Sequence, residues 1–109
     1  MRNRSLKGNT FKKEDVEQVW EKALIEEGVN PDLIRKDCCG AWIKKQDYGK
    51  SSSLAFGWEI DHIIPKSKGG DDEIYNLQPL YWENNKKKAN NYPSWECSAT
   101  AKKNKNVYT

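Results

Sequence analysis

Asp61 and His62 are neighbours in the run Trp58-Glu59-Ile60-Asp61-His62-Ile63-Ile64, and His62 is the single histidine of the 109-residue chain. A carboxylate beside an imidazole can supply one metal ligand and one general base. Adjacent residues of a strand face opposite ways, so the two converge on one substrate only through a twist or at the strand's end. Glu59 stands two residues before Asp61, on the same strand face, where it can act as a supporting acid or hold a metal ligand in place. Taken alone, an Asp-His pair is more often a surface feature or a satisfied core contact.

The elements that would carry these residues are legible around them. Residues 58–64 alternate large apolar and ionisable side chains through Asp61 and then meet Pro65, which reads as a strand and its end. Gly69-Gly70-Asp71-Asp72 makes a polar loop, and residues 75–80 read as an extended segment that Pro79 cuts short. Residues 82–90, rich in helix formers, predict a helix stopped at Asn91-Tyr92-Pro93. Upstream, Val16, Val19, Trp20, Ala23 and Leu24 form one apolar stripe, predicting a helix over 11–27 with Thr10 as N-cap and Gly28 as stop. Asn30-Pro31-Asp32 is a turn that starts a short second helix through Leu33, Ile34 and Arg35. Residues 38–44 read as a short strand, and Ser51-Ser52-Ser53 as a connection.

Composition bounds the rest. Leu, Ile, Val and Phe make up only 19 of 109 residues, yet a net charge of +3 and ten Trp and Tyr residues argue for a small folded core with frayed basic ends. The length suits one domain: a flexible basic arm over 1–9, a folded part over 10–93 and a basic tail over 94–109. No run approaches the roughly 20 apolar residues of a membrane span, and the polar start is no secretory leader. Three cysteines, Cys38 and Cys39 adjacent, make no disulfide framework and point to a reducing cytoplasm, with Cys97 incidental. A single His and no C-x-x-C leave no structural zinc site.

From Trp58 to Lys88 the residues Asp61-His62-Ile63-Ile64-Pro65, Gly69-Gly70, Asn76-Leu77-Gln78-Pro79-Leu80 and Asn84-Asn85-Lys86-Lys87-Lys88 follow in order. This series resembles the HNH nucleases, whose ββα-metal motif runs D-H-I-x-P, G-G, N-L-Q-x-L, then H or N with a Lys one turn later. The stretch 35–49 is similar to a bacterial and phage subgroup. The resemblance implies an α+β fold: a small single domain with a ββα-metal core at about 58–90 and an added N-terminal helix. It implies that His62 takes a proton from the attacking water, that Asp61 and Asn85 hold the metal, and that Asn76 orders the loop and supports His62. Many members carry C-x-x-C pairs for structural zinc. Tyr81 and Asn84 stand at those helix positions here, which implies a zinc-free subgroup stapled by aromatics and the N-terminal helix.

Phosphodiester hydrolysis builds negative charge on the phosphate oxygens and on the leaving 3′ oxygen, and a hard cation held by few ligands leaves positions for them. One carboxylate and one amide oxygen suit Mg²⁺ or Mn²⁺. The basic clusters then gain a use, with Lys86, Lys87, Lys88, Lys66 and Lys68 near DNA phosphates. The expected function is a metal-dependent DNA endonuclease, with RNA left open as a substrate. It is expected to nick, as a monomer or weak homodimer of phage or mobile-element type. A DNA-binding accessory protein of the same fold is the alternative. A toxin nuclease released from a larger protein is a third reading, weakened by the start Met and the lack of a delivery domain.

Overall fold

The computed structural model describes residues 2–52 and 54–109, so Met1 of the expected arm and Ser53 of the expected connection lie outside the described residues. The element order is helix α1 (Lys13–Trp20), strands β1 (Ile34–Lys36), β2 (Trp42–Lys44), β3 (Trp58–His62) and β4 (Leu77–Tyr81), helix α2 (Trp82–Lys88), and strands β5 (Ala99–Lys102) and β6 (Lys105–Tyr108). The strands pair in sequence order as three antiparallel hairpins, β1 with β2, β3 with β4 and β5 with β6. The architecture is α+β, as the sequence implied, with β3, β4 and α2 as its centre.

Helix α1 is shorter than its apolar stripe. Val19 and Trp20 are buried on it, but Leu24 leaves the helical path and exchanges backbone hydrogen bonds of 2.8 and 2.9 Å with Lys36. The carbonyls that a longer helix would have satisfied go to Arg35 instead, whose Nη1 reaches Glu21 O at 3.2 Å and Ala23 O at 3.4 Å. A buried guanidinium can cap several such carbonyls at once, so Glu21 O and Ala23 O keep a donor where the chain turns early. Arg35 performs this from β1, which replaces the expected second helix through Leu33, Ile34 and Arg35.

Trp20 and Trp58 meet with ring centroids 5.3 Å apart, and Tyr48 packs edge-on to Trp58 at 4.9 Å. Ile43, Ile60, Leu77 and Ala99 close the same core. Each of the two tryptophans still places its indole N–H, Trp20 on Pro31 O at 3.1 Å and Trp58 on Lys45 O at 3.4 Å. This is how a chain poor in aliphatics buries enough area.

Both expected loose ends are folded onto the domain. Residues 94–109 are not a tail: β5 and β6 form a hairpin, with Ala99 in the core. Cys97 is not incidental, because it forms a disulfide with Cys39 across 58 residues. The inference of a reducing compartment from unpaired cysteines thereby loses its premise. Asn84 completes the attachment, donating to Asp37 Oδ2 and Ala99 O at 3.0 Å each and accepting from Ser98 N and Ala99 N at 2.8 Å each. One of the helix positions read as lacking a zinc cysteine is thus filled by an amide with every hydrogen bond satisfied. At the other end, the arm over 2–9 is docked, with Asn3 Oδ1 accepting from Ile60 N and Tyr48 Oη at 2.9 Å. Among the described residues no helix is long and apolar enough to cross a membrane.

Candidate active site

Strand β3 gives one face to α2. Its register sets Asp61 opposite Gln78 and His62 opposite Leu77, and alternation turns Glu59 and Asp61 toward the helix. There Glu59 Oε1 accepts from Asn85 Nδ2 at 3.0 Å, while Asp61 Oδ2 lies 3.2 Å from Lys88 Nζ and accepts from Gln78 Nε2 at 2.9 Å. Asn85 and Lys88 are three apart on α2, so they share a helix face and meet the two acids of the strand in parallel. The bond to Glu59 also fixes the amide's orientation, leaving Asn85 Oδ1 as the outward acceptor.

His62 points the other way, and the strand's end solves the problem of convergence. Asp61, His62 and Asn85 all line one cleft of about 510 Å³, whose remaining walls include Lys66, Lys86 and the arm. The imidazole Nε2 is 2.7 Å from Asp72 Oδ1, and Phe11 stands beside the ring at 6.0 Å between centroids. Asp72 had no part in the sequence reading. Nothing in Gly69-Gly70-Asp71-Asp72 distinguishes it from a solvated loop acid, and only loop closure brings it to His62.

That closure depends on Asn76 and Gly70. Asn76 Oδ1 accepts from Ile64 N at 2.8 Å, and its Nδ2 donates to Ile64 O at 3.0 Å and Asp71 O at 2.8 Å. One amide therefore ties both ends of the loop together. Gly70 packs so tightly against this knot that a Cβ there would lie 1.6 Å from Ile64 O. Larger residues are excluded by backbone contact, which is the physical use of the second glycine.

Of the five lysines expected at phosphates, Lys88 departs. It is 1 % exposed, paired with Asp61, and donates to His62 O at 3.0 Å. It faces the interior, compensating the buried carboxylate and holding the strand end that carries the imidazole. Lys66 and Lys86 line the cleft, while Lys68 reaches Tyr92 O at 3.1 Å, and Lys87 is exposed.

Burial pushes the Asp61 carboxyl above its ordinary value, opposed by the Gln78 hydrogen bond and the Lys88 charge. Among the described residues no three His, Cys, Asp or Glu side chains cluster as a metal cage. The donor set is instead one carboxylate, one amide and one imidazole around an open cleft. Asp61 Oδ1 and Asn85 Oδ1 take no hydrogen bond among the described residues, since the bonds of those side chains run through the other atoms. Hard oxygen donors with spare lone pairs fit a hard divalent cation better than zinc.

The family model described as HNH endonuclease matches residues 38–91. That span contains β2, β3, β4 and α2 and every residue of the cleft except the arm. No curated protein and no solved structure gives a significant match to the chain.

Proposed function

Since residues 38–91 of this chain are an HNH endonuclease domain, we propose that the protein is a metal-dependent DNA endonuclease that hydrolyses one phosphodiester bond per visit. The observation that carries this reading is the convergence of Asp61, His62 and Asn85 on one open cleft. A metal ion is implied by the donor set, and Mg²⁺ or Mn²⁺ suits two oxygen ligands. Asp61 and Asn85 would hold it, and when bound it would stabilise charge on the phosphate and leaving oxygens.

The chain's own residues supply the proton chemistry. The short contact between Nε2 and Asp72 makes Nε2 the protonated nitrogen, so the Nδ1 lone pair is the one available to a water. His62 takes that water's proton as its oxygen attacks phosphorus. The bond from phosphorus to the 3′ oxygen then breaks, leaving a 5′ phosphate and a 3′ alkoxide that is protonated from solvent. Asp72 keeps the ring oriented during the transfer. Asn76 holds the loop that presents Asp72, and Lys88 fixes the strand end that presents His62. Lys66, Lys86 and Lys87 add sequence-independent attraction to the DNA backbone. A single Asp61–His62–Asn85 site among the described residues suits nicking by a monomer or weak dimer.

One observation favours the competing reading of a DNA-binding accessory protein: Lys88 already compensates Asp61 without any metal. Supercoiled plasmid incubated with Mg²⁺, Mn²⁺ or EDTA separates the two. The nuclease reading expects metal-dependent conversion to open circles by the native protein and none by His62→Ala. Gel-shifted but intact plasmid under every metal condition would select the accessory reading.

A further inference from the structure

The arm over 2–9 is anchored on both banks of the cleft. On one side Asn3 Oδ1 takes the Ile60 N–H at the outer edge of β3, at 2.9 Å. On the other, Leu6 N donates to both oxygens of Asp72, at 3.1 and 3.2 Å, and Lys66 Nζ reaches Leu6 O at 3.3 Å. The two residues between these anchors must therefore span the cleft. Arg4 is one of them, half-buried and part of the cleft wall with Asp61, His62 and Asn85.

Its partners are telling. Arg2 is paired with Glu59 at 3.6 Å, whereas Arg4 forms no ion pair among the described residues and donates only to Asn3 O, at 2.9 Å. A permanently charged guanidinium, partly withdrawn from water and without a carboxylate, keeps most of its donors for an anion. Its planar fork matches two oxygens of one phosphate.

We propose that Arg4 binds a backbone phosphate of the nucleic acid inside the cleft, and that the arm is a working wall of the active site. The location of that phosphate beside His62 rests on the nuclease reading. Arg4 then grips the phosphodiester from the arm's wall of the cleft that Asp61 and Asn85 also line. Asp72 joins the two halves, because the same carboxylate that orients His62 also holds the arm through Leu6.

Two measurements test this, one of which is independent of cleavage. Binding to a short duplex in EDTA is followed over a salt series for the native protein, Arg4→Ala and Arg4→Lys. Loss of one phosphate contact makes the negative slope of log K against log salt shallower by about 0.9 in Arg4→Ala, while Arg4→Lys keeps the native slope. Plasmid cleavage in Mg²⁺ or Mn²⁺ is expected to lose about 10- to 100-fold in kcat/KM in Arg4→Ala, the usual range for a charged hydrogen bond. Arg4→Lys should recover part of it, since the charge remains but the fork does not. An unchanged slope together with native cleavage overturns the proposal. A gain in cleavage on Arg4→Ala also overturns it, because the arm would then be an obstruction. If the native protein cuts no plasmid but the slope of Arg4→Ala is still shallower, the phosphate contact stands and only the nuclease reading fails.

Discussion

Replacing Lys88 by Met tests whether the lysine stabilises the centre of the site from within. Its ammonium lies 3.2 Å from Asp61 Oδ2, with both side chains nearly excluded from water. At an effective dielectric of about 20, that separation corresponds to about 5 kcal/mol of attraction. In the native protein the cost of desolvating both ions offsets most of it. In Lys88→Met the carboxylate stays buried without its partner, and the His62 carbonyl loses its donor as well. The expected loss is about 3–5 kcal/mol, a large part of the roughly 5–15 kcal/mol that holds a domain of this kind together. Urea unfolding followed by tryptophan fluorescence reads it directly, because Trp20 and Trp58 sit in the core. The midpoint should fall by about 2 M for an ordinary urea slope. Removing the charge from both sides, in Asp61→Asn with Lys88→Met, should cost less than the sum of the single changes. A Lys88→Met midpoint within about 0.5 M of the native value, or strictly additive losses, would show that the pair is not an energetic unit. The lysine would then be free to serve phosphates, as the sequence first suggested.

Other consequences can be checked separately. Cys97→Ser should lower the unfolding free energy by about 4 kcal/mol on the chain-entropy account of a 58-residue separation. Reductant should reproduce the loss in the native protein, and Cys38→Ser should leave the urea midpoint alone. Burial holds the Asp37 carboxyl above its ordinary value of 3.8, against four N–H donors. The folded state therefore binds that proton more readily than the unfolded chain. Its contribution to stability is complete below the ordinary value and is lost as pH rises through the raised one. A carbon-detected NMR titration of Asp37 with a midpoint below 3.8 would refute this. Asn76→Ala should leave buried backbone groups unpaired at a cost of about 1–3 kcal/mol, seen as faster amide exchange at Ile64. Calorimetric titration of Mn²⁺ should show weakened binding in Asp61→Ala, and unchanged affinity would remove Asp61 from the metal site.

Local pattern carried the middle of the chain. The alternation in residues 58–64, with Pro65 after it, made β3 legible, and the helix formers after Trp82 made α2 legible, because both depend on near neighbours. The resemblance to the HNH motif at Asp61, His62, Asn76 and Asn85 marked side chains that line or support the cleft. It did so because a ββα unit has a short, nearly fixed geometry between its strand and helix.

What the pattern left open were choices settled by distant partners. Helix α1 stops at Trp20 although its stripe continues, because Leu24 finds Lys36 and Arg35 takes the freed carbonyls. Lys88 looks like its neighbours Lys86 and Lys87, yet its position on α2 turns it onto Asp61 while they face solvent. Asp72 and Arg4 belong to segments with no periodicity, and they meet the site only after the loop closes and the arm docks. Cys39 and Cys97 are 58 residues apart, so their pairing is decided by where β5 and β6 pack. The sequence by itself determined which groups could do the chemistry and the unit that carries them. Their burial, orientation and partners were decided by contacts between residues far apart in the chain, which no local pattern encodes.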